Sequence, residues 1–234
     1  MTKSEPQDPE ILVLVPTRLE ARLLLDVDGA PLDLPAASPL LAKNAAVALC
    51  GCGLAAAGVL AARWLERLRP RRVLLVGLGG TLDPRGAPVG RCVAGSHVTL
   101  GGIGAGQGEH HLSLTDMGLE VLPGLDDSDI ALAPPPRFPS GGLVSVASAS
   151  ANHDEARAVR AAHPHAVVED METWPVALAA RLTGTPLTVI RTISNEAGVR
   201  DKSAWRLDAA ARAFRDSLSE VFHHLTSSPP ALPE

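Results

Sequence analysis

Residues 166–174 read Ala-Val-Val-Glu-Asp-Met-Glu-Thr-Trp, so an apolar run ends abruptly in a cluster of carboxylates. The run predicts a strand over residues 166–170, and Pro175 then opens an Ala/Leu-rich segment that is typical of a helix. A strand that ends in acids immediately before a helix places carboxylates at the carboxyl edge of a sheet. Small ligands bind at that edge in open α/β sheets. We therefore expect an α/β fold whose functional site is built around this edge.

The rest of the chain alternates between strand-like and helix-like segments. Further strands are predicted at residues 11–15, 45–50, 73–76, 91–100, 143–147 and 187–193, and helices at 17–25, 54–68, 154–162, 176–182 and 205–225. This alternation predicts one α/β domain over residues 11–225 with a mixed, largely parallel sheet. Residues 1–10 and 226–234 are expected to be disordered tails. Pro-rich residues 122–141 are expected to form an irregular excursion, and residues 28–44 loops or a weak hairpin.

The composition excludes several classes of protein. The 234 residues are 46% apolar and 20% charged, which is enough to build a sizeable core. A net charge of −5 without a basic block argues against nucleic-acid binding. The chain shows neither a signal peptide nor a transmembrane run, and its three cysteines favour a reducing compartment. We expect a cytoplasmic protein that does not bind a membrane.

Two glycine-rich segments follow predicted strands. Residues 51–58, Gly-Cys-Gly-Leu-Ala-Ala-Ala-Gly, resemble a loosened dinucleotide fingerprint, but the next strand does not end in the acid that would hold a ribose. The simpler interpretations are a tight strand-to-helix turn or a loop that approaches another ligand. Residues 77–80, Gly-Leu-Gly-Gly, are predicted to form a second loop. The eight histidines lack metal-ligand spacing, so we expect neither a metal nor a cofactor.

Glu20 has two interpretations. Thr17-Arg18-Leu19-Glu20 fits a capping box, with Thr17 as N-cap and Glu20 reaching back to it. Alternatively, Glu20 is a carboxylate at the carboxyl edge of the first strand that acts as a general base on water. The position alone favours the cap.

Asp170 and Glu172 are likewise open to two interpretations. They are either acids in the first turn of a helix or carboxylates that accept hydrogen bonds from a vicinal diol such as a ribose. Arg191 lies within an apolar strand and needs a buried partner, which either acid would supply. Ser194 and Asn195 follow it as turn caps or as ligand contacts at the same edge.

Taken in order, these stretches resemble the nucleoside phosphorylase and nucleosidase family over residues 11–225. Within that family, the run 191–205 (Arg-Thr-Ile-Ser-Asn-Glu-Ala-Gly-Val-Arg-Asp-Lys-Ser-Ala-Trp) is most similar to futalosine hydrolases of menaquinone biosynthesis. The resemblance implies a three-layer α/β/α fold, usually a homo-oligomer. It also implies a small-molecule nucleoside substrate whose N-ribosidic bond is cleaved.

By position, the resemblance also implies a role for each matched residue. Glu20 would activate water, Glu172 would bind the ribose hydroxyls with Met171 packed on the sugar, and Asn195 would contact the purine. Asp170 and Arg191 would be structural groups near the site. The residues expected to line the site are Gly53, Gly77, Leu78, Gly79 and Ser194.

Two departures from the family pattern matter. Methylthioadenosine nucleosidases carry Asp where this chain has Asn195, and an amide suits a 6-oxopurine such as hypoxanthine, because it donates to the N7/O6 edge. The bulky segment 173–175, Thr-Trp-Pro, replaces small residues. Trp174 is the feature that favours a non-catalytic nucleoside-binding homologue, and a phosphate-dependent purine nucleoside phosphorylase is the other alternative to hydrolysis of futalosine.

Overall fold

A computed structural model describes residues 8–25, 39–41, 44–106, 110–123 and 129–227. The strands are β1 (Ile11–Val15), β2 (Leu40–Leu41), β3 (Ala45–Leu49), β4 (Arg72–Thr81), β5 (Cys92–Leu100), β6 (Asp129–Ala131), β7 (Ser140–Ser145), β8 (Ala166–Asp170) and β9 (Leu187–Glu196). The helices are α1 (Arg18–Leu25), α2 (Leu54–Leu68), α3 (His153–Ala162), α4 (Thr173–Leu182) and α5 (Leu207–Ser227). Within those ranges, no helix combines the length and the apolar composition needed to cross a bilayer.

Strand β1 is buried along its whole length because helices cover both of its faces. Leu12 and Leu14 belong to a cluster that contains the buried faces of α2 and α4. Val13 and Val15 belong to a second cluster, which includes residues of α1 and α5. This alternation follows from the period of two along a strand, which turns successive side chains to opposite faces.

The sheet is mixed, as predicted, but it closes on itself. Strand β1 lies between β3 and β4 in parallel, and β4 continues in parallel with β9. Strand β4 also pairs with β8, and the pairing then passes through β7 and β5 back to β9. Strands β4, β8, β7, β5 and β9 therefore form a closed, barrel-like ring. The mixed α/β fold is confirmed, whereas the three-layer arrangement remains a prediction.

The ring requires two strands that are longer than the sequence suggests. Residues 77–80, predicted as a loop, continue β4, and Ser194 and Asn195 continue β9 instead of capping a turn. Gly77 pairs with Arg191 in this register, which shifts between Gly79 and Gly80. Pairing with a distant strand thus overrides the local preference of glycine for loops.

The irregular segments are only partly described. Within the Pro-rich stretch 122–141, β6 pairs with β5 and Ser140 begins β7, while residues 124–128 lie outside the described ranges. Most of the predicted tails, residues 1–7 and 228–234, also lie outside them. Of residues 28–44, the described part contains β2, which pairs with β3 in antiparallel fashion.

Candidate active site

A cleft of about 210 Å³ opens where β4, β8 and β9 end. Its described lining residues are Glu20, Cys52, Leu78, Gly79, Gly80, Ala149, Glu169, Asp170, Met171, Glu172, Ser194, Asn195, Ala197, Gly198, Arg200 and Trp205. A larger, mostly apolar cavity of about 670 Å³ lies beside α3, and its described ionisable residues are His111 and His163. Because the clustered carboxylates line the smaller cleft, that cleft is the candidate active site.

Glu20 contacts the N-terminal cap of α1 and also reaches into the cleft. Its backbone N–H donates to Thr17 Oγ1 at 3.2 Å, as an N-terminal cap does, and the Thr17 hydroxyl donates to Glu20 Oε2 at 2.6 Å. The other carboxylate oxygen, Oε1, accepts the backbone N–H of Leu78 at 2.9 Å. Helix α1 therefore presents the Glu20 carboxylate to the carboxyl half of β4, inside the cleft.

Glu172 also lines the cleft and lies at the N-terminus of α4. Its Oε1 accepts the backbone N–H of Gly53 at 3.0 Å, and its Oε2 accepts Arg191 Nη2 at 3.4 Å. Gly53 has a φ of 83°, a conformation that favours glycine, and this turns its N–H toward the carboxylate. Burial raises the pKa of Glu172, while the charge of Arg191 and the Gly53 hydrogen bond oppose that rise.

Asp170 is the centre of a buried hydrogen-bond network. Its Oδ1 accepts the Ser145 hydroxyl at 2.5 Å, and its Oδ2 accepts Arg191 Nε at 2.7 Å and the Thr173 hydroxyl. The side chains of Asp170 and Arg191 are fully buried. These contacts join β7, β8, β9 and the first turn of α4, so Asp170 has the geometry of a structural residue.

Arg191 extends from β9 along the floor of the site. Burial alone would lower the pKa of Arg191, but the negative charges of Asp170 and Glu172 outweigh this effect and raise the pKa above its ordinary value. The guanidinium therefore stays charged. Nη1 is buried and has no hydrogen-bond partner among the described residues. It lies against Gly77, on the side where Glu20 Oε1 also lies.

Asn195 is held by its own segment of chain. Its Oδ1 accepts the Ser194 hydroxyl at 2.7 Å. Its Nδ2 donates to the carbonyl oxygens of Glu196 at 2.7 Å and Val199 at 3.4 Å. The amide is therefore fixed in orientation at the edge of the cleft, with one short and one long hydrogen bond from its nitrogen.

The bulky segment 173–175 does not fill the cleft. Trp174 is buried and packs in the cluster that contains Ala57 and Ala61 of α2. Its backbone N–H donates to Ser145 Oγ at 2.9 Å. Helix α4 begins at Thr173, three residues before the predicted range 176–182, and this turns Trp174 toward α2.

The predicted site residues fall into two groups. The first group lines the cleft and consists of Glu20, Leu78, Gly79, Asp170, Met171, Glu172, Ser194 and Asn195. The second group does not line the cleft but lies next to its carboxylates. It consists of Gly53 and Arg191, which donate hydrogen bonds to Glu172, and Gly77, which lies beside Glu20.

Sequence reasoning missed several lining residues, namely Cys52, Ala149, Glu169, Ala197, Gly198, Arg200 and Trp205. Glu169 accepts the backbone N–H and the hydroxyl of Ser150, at 2.9 and 2.5 Å, and so fastens the loop after β7. Two sequence features could have pointed to three of these residues. Glu169 is next to the predicted carboxylate Asp170, and Arg200 and Trp205 belong to the run 191–205 that carries the family resemblance. No group of three or more His, Cys, Asp or Glu side chains in the described ranges is arranged to hold a metal.

Comparison with known proteins identifies the family of the chain. The sequence model of the phosphorylase superfamily matches residues 11–227. A futalosine hydrolase of Streptomyces coelicolor is 31% identical over 160 residues, which cover 68% of each chain. A futalosine hydrolase of Acidothermus cellulolyticus is 28% identical over 185 residues, covering 76% of this chain and 75% of that protein.

Solved structures show the same fold at lower sequence identity. A 5′-methylthioadenosine/S-adenosylhomocysteine nucleosidase of Colwellia psychrerythraea, in complex with adenine, has a TM-score of 0.71 at 18% identity, covering 96% of this chain and 99% of that one. A futalosine hydrolase of Helicobacter pylori has a TM-score of 0.71 at 16% identity, covering 92% and 98%. The match of the superfamily model over nearly the whole chain establishes that this protein belongs to the phosphorylase superfamily.

Proposed function

We propose that this protein is a nucleosidase that hydrolyses the N-ribosidic bond of futalosine, giving hypoxanthine and dehypoxanthine futalosine. The superfamily match and the two futalosine hydrolases at 31% and 28% identity support this proposal. The observation that carries it is the placement of Glu20 and Glu172 in one cleft, each held by a backbone N–H. As the resemblance implies, we further propose a homo-oligomer with a three-layer fold that acts in menaquinone biosynthesis. The three cysteines, which favour a reducing compartment, support a cytoplasmic location.

The ribose is assigned to the wall formed by Met171 and Glu172. An ionised Glu172 accepts hydrogen bonds from the 2′ and 3′ hydroxyls, while the Met171 side chain packs on the sugar. Arg191 keeps Glu172 in place through Nη2 at 3.4 Å, and Gly53 does so from the other side at 3.0 Å. A carboxylate held by two donors retains further lone pairs, which face the cleft and are available to the diol.

The attacking water is assigned to Glu20. As the bond from C1′ to the purine nitrogen breaks, its electron pair leaves with the base and the sugar becomes oxocarbenium-like. Water then bonds to C1′ and Glu20 takes its proton, while the departed base takes a proton from solvent to become hypoxanthine. Glu20 releases its proton to solvent and is regenerated. The Leu78 N–H and the Thr17 hydroxyl orient the carboxylate for this step at 2.9 and 2.6 Å. General-base assistance of this kind contributes roughly 10²–10⁴-fold.

The departing base is assigned to the edge at Asn195. Negative charge develops on the purine as the bond breaks, and hydrogen bonds to its N7/O6 edge stabilise that charge. The N–H of Asn195 that reaches Val199 at 3.4 Å is the weaker of its two donors, and we assign it to the base. Ser194 supports this role by donating to Oδ1 at 2.7 Å.

The two alternatives find less support in the geometry. A phosphorylase needs several cationic groups around phosphate, whereas four of the described lining side chains are carboxylates and one, Arg200, is cationic. Arg18, which follows Thr17 at the start of α1 and is a further candidate cation for phosphate, is exposed and is not among the lining residues. Trp174, the feature that favoured a non-catalytic homologue, packs in the core and leaves the cleft open.

The proposal is tested by measuring base release from futalosine, inosine and methylthioadenosine in phosphate-free buffer. We expect hypoxanthine release from futalosine to be fastest and unchanged by added phosphate. Release that requires phosphate would identify a phosphorylase. If none of the three nucleosides turns over under either condition, the catalytic assignment is wrong.

A further inference from the structure

Arg200 is a charged residue of the cleft that has no part in the proposed reaction. Among the described lining residues it is the only one with a cationic side chain; the other charged ones are Glu20, Glu169, Asp170 and Glu172. The residue is exposed, and its guanidinium forms no salt bridge with a described carboxylate. Its charge is therefore not used to hold the fold together.

Arg200 is nevertheless held in a defined place. Its guanidinium carbon lies 5.6 Å from the centroid of the Trp205 ring, within the range of a cation–π contact. The Trp205 indole N–H donates to the carbonyl oxygen of Val199 at 3.0 Å. The same oxygen accepts Asn195 Nδ2 at 3.4 Å. The Val199 carbonyl thus links the Trp205 platform to the amide assigned to the base.

The side chain of Asn195 can offer the base only one hydrogen-bond donor. One of its N–H bonds is held by the carbonyl oxygen of Glu196 at 2.7 Å, the other is the weaker one assigned to the base, and its oxygen accepts from Ser194. A 6-oxopurine presents two adjacent acceptors, O6 and N7, and both gain negative charge as the base departs. A planar guanidinium donates to this pair through two parallel N–H bonds.

We propose that Arg200 is a specificity-determining residue that donates to O6 and N7 of a 6-oxopurine base and so selects it over a 6-aminopurine. An amino group at C6 presents hydrogen atoms to the guanidinium instead of an acceptor, and one of the two hydrogen bonds is lost. The inference rests on the proposed function, because it assumes that the base lies beside Asn195. It assigns the cation to the base and not to a substituent on the ribose.

The test is calorimetric titration of wild-type protein, Arg200→Gln and Arg200→Lys with hypoxanthine and with adenine. Free bases carry no sugar, so a loss of affinity cannot come from a ribose substituent. We expect Arg200→Gln to weaken hypoxanthine binding roughly 10- to 100-fold, as expected for loss of a bidentate arginine pair, and to change adenine binding less than about threefold. Arg200→Lys, which keeps the charge without the planar fork, should lose most of the same selectivity.

Arg206→Gln is the matched control, because Arg206 is an exposed arginine on the same segment that does not line the cleft. It should bind both bases like the wild type. Unchanged hypoxanthine affinity in Arg200→Gln, an equal loss for both bases, or no hypoxanthine binding by the wild type would each overturn the assignment. Because binding needs no turnover, a protein that selects hypoxanthine through Arg200 but hydrolyses no nucleoside would disprove only the proposed function.

Discussion

The guanidinium of Arg191 occupies the space that a side chain at Gly77 would need. A methyl group at residue 77 would overlap Arg191 Nη1 and would lie 3.1 Å from Glu20 Oε1. The two residues are also register partners on β4 and β9. The missing side chain at residue 77 thus allows the buried cation to lie beside the carboxylate that is assigned to water activation.

Gly77→Ala should therefore impair catalysis more than folding. The added methyl forces Arg191 to move, which costs about 1–3 kcal/mol of unfolding free energy, as overpacking does. Movement of Arg191 also shifts Glu172, and a displacement near 1 Å lowers kcat/KM roughly 10²-fold. Steady-state kinetics with futalosine and urea unfolding measure the two effects. The control is Gly58→Ala on α2 outside the cleft, where the added methyl would lie 3.3 Å from Pro175 Cβ and so tests overpacking that does not touch Arg191. It should keep full activity, and equal activity in both variants would contradict the role of Gly77.

Glu20→Gln should abolish most of the turnover and leave the fold intact. The amide oxygen still accepts the Leu78 N–H, so the contact that orients the side chain at 2.9 Å survives. The amide cannot take a proton from water, and we expect kcat to fall by roughly 10²–10⁴-fold. The control is Glu66→Gln on the exposed face of α2. If Glu20→Gln unfolds early but retains wild-type kcat, the residue is only a helix cap.

The alternation of elements and the acidic edge could be predicted from sequence because they depend on local signals. Apolar runs, Pro175 and the clustered acids all lie within a few residues of the elements they define. The dual role of Glu20 could be posed but not decided, since one short segment fits both a cap and a site. Local pattern therefore located the acidic edge, whereas the role proposed for each residue came from the family resemblance.

The rest depends on contacts between distant parts of the chain. Residues 77–80 form a strand because they pair with β9, more than a hundred residues later, and closure of the ring depends on that pairing. The direction of Trp174 depends on where α4 begins, which is a boundary that periodicity does not resolve. The position of Arg200 in the cleft depends on contacts such as the Trp205 ring beside its guanidinium and the Trp205–Val199 hydrogen bond, which sequence does not reveal.

The pH dependence of the reaction should reflect the raised pKa of the buried Glu172 carboxyl. Burial raises the pKa of this carboxyl, and the diol needs its ionised form. Activity should therefore fall as pH decreases through a value above the ordinary glutamate pKa of about 4.3. The acid limb of kcat/KM against pH measures this for the free enzyme. Glu172→Gln should lower kcat/KM and remove that limb; an unchanged limb in the variant would assign it to another group.

Asp170 and Glu172 both contact Arg191, yet we expect substitution of Asp170 to lower the stability of the fold and substitution of Glu172 to lower the activity. Asp170→Asn removes the charge that meets Arg191 Nε at 2.7 Å in a fully buried pair and disturbs the contacts to Ser145 and Thr173. Removing one partner of a buried ion pair costs about 3–5 kcal/mol, so the urea midpoint should drop sharply. Glu172→Gln leaves the Asp170 pair intact and should unfold close to the wild type while losing activity. A stable Asp170→Asn protein beside an unstable Glu172→Gln protein would reverse the assignment, making Asp170 the substrate-facing carboxylate and Glu172 the structural one.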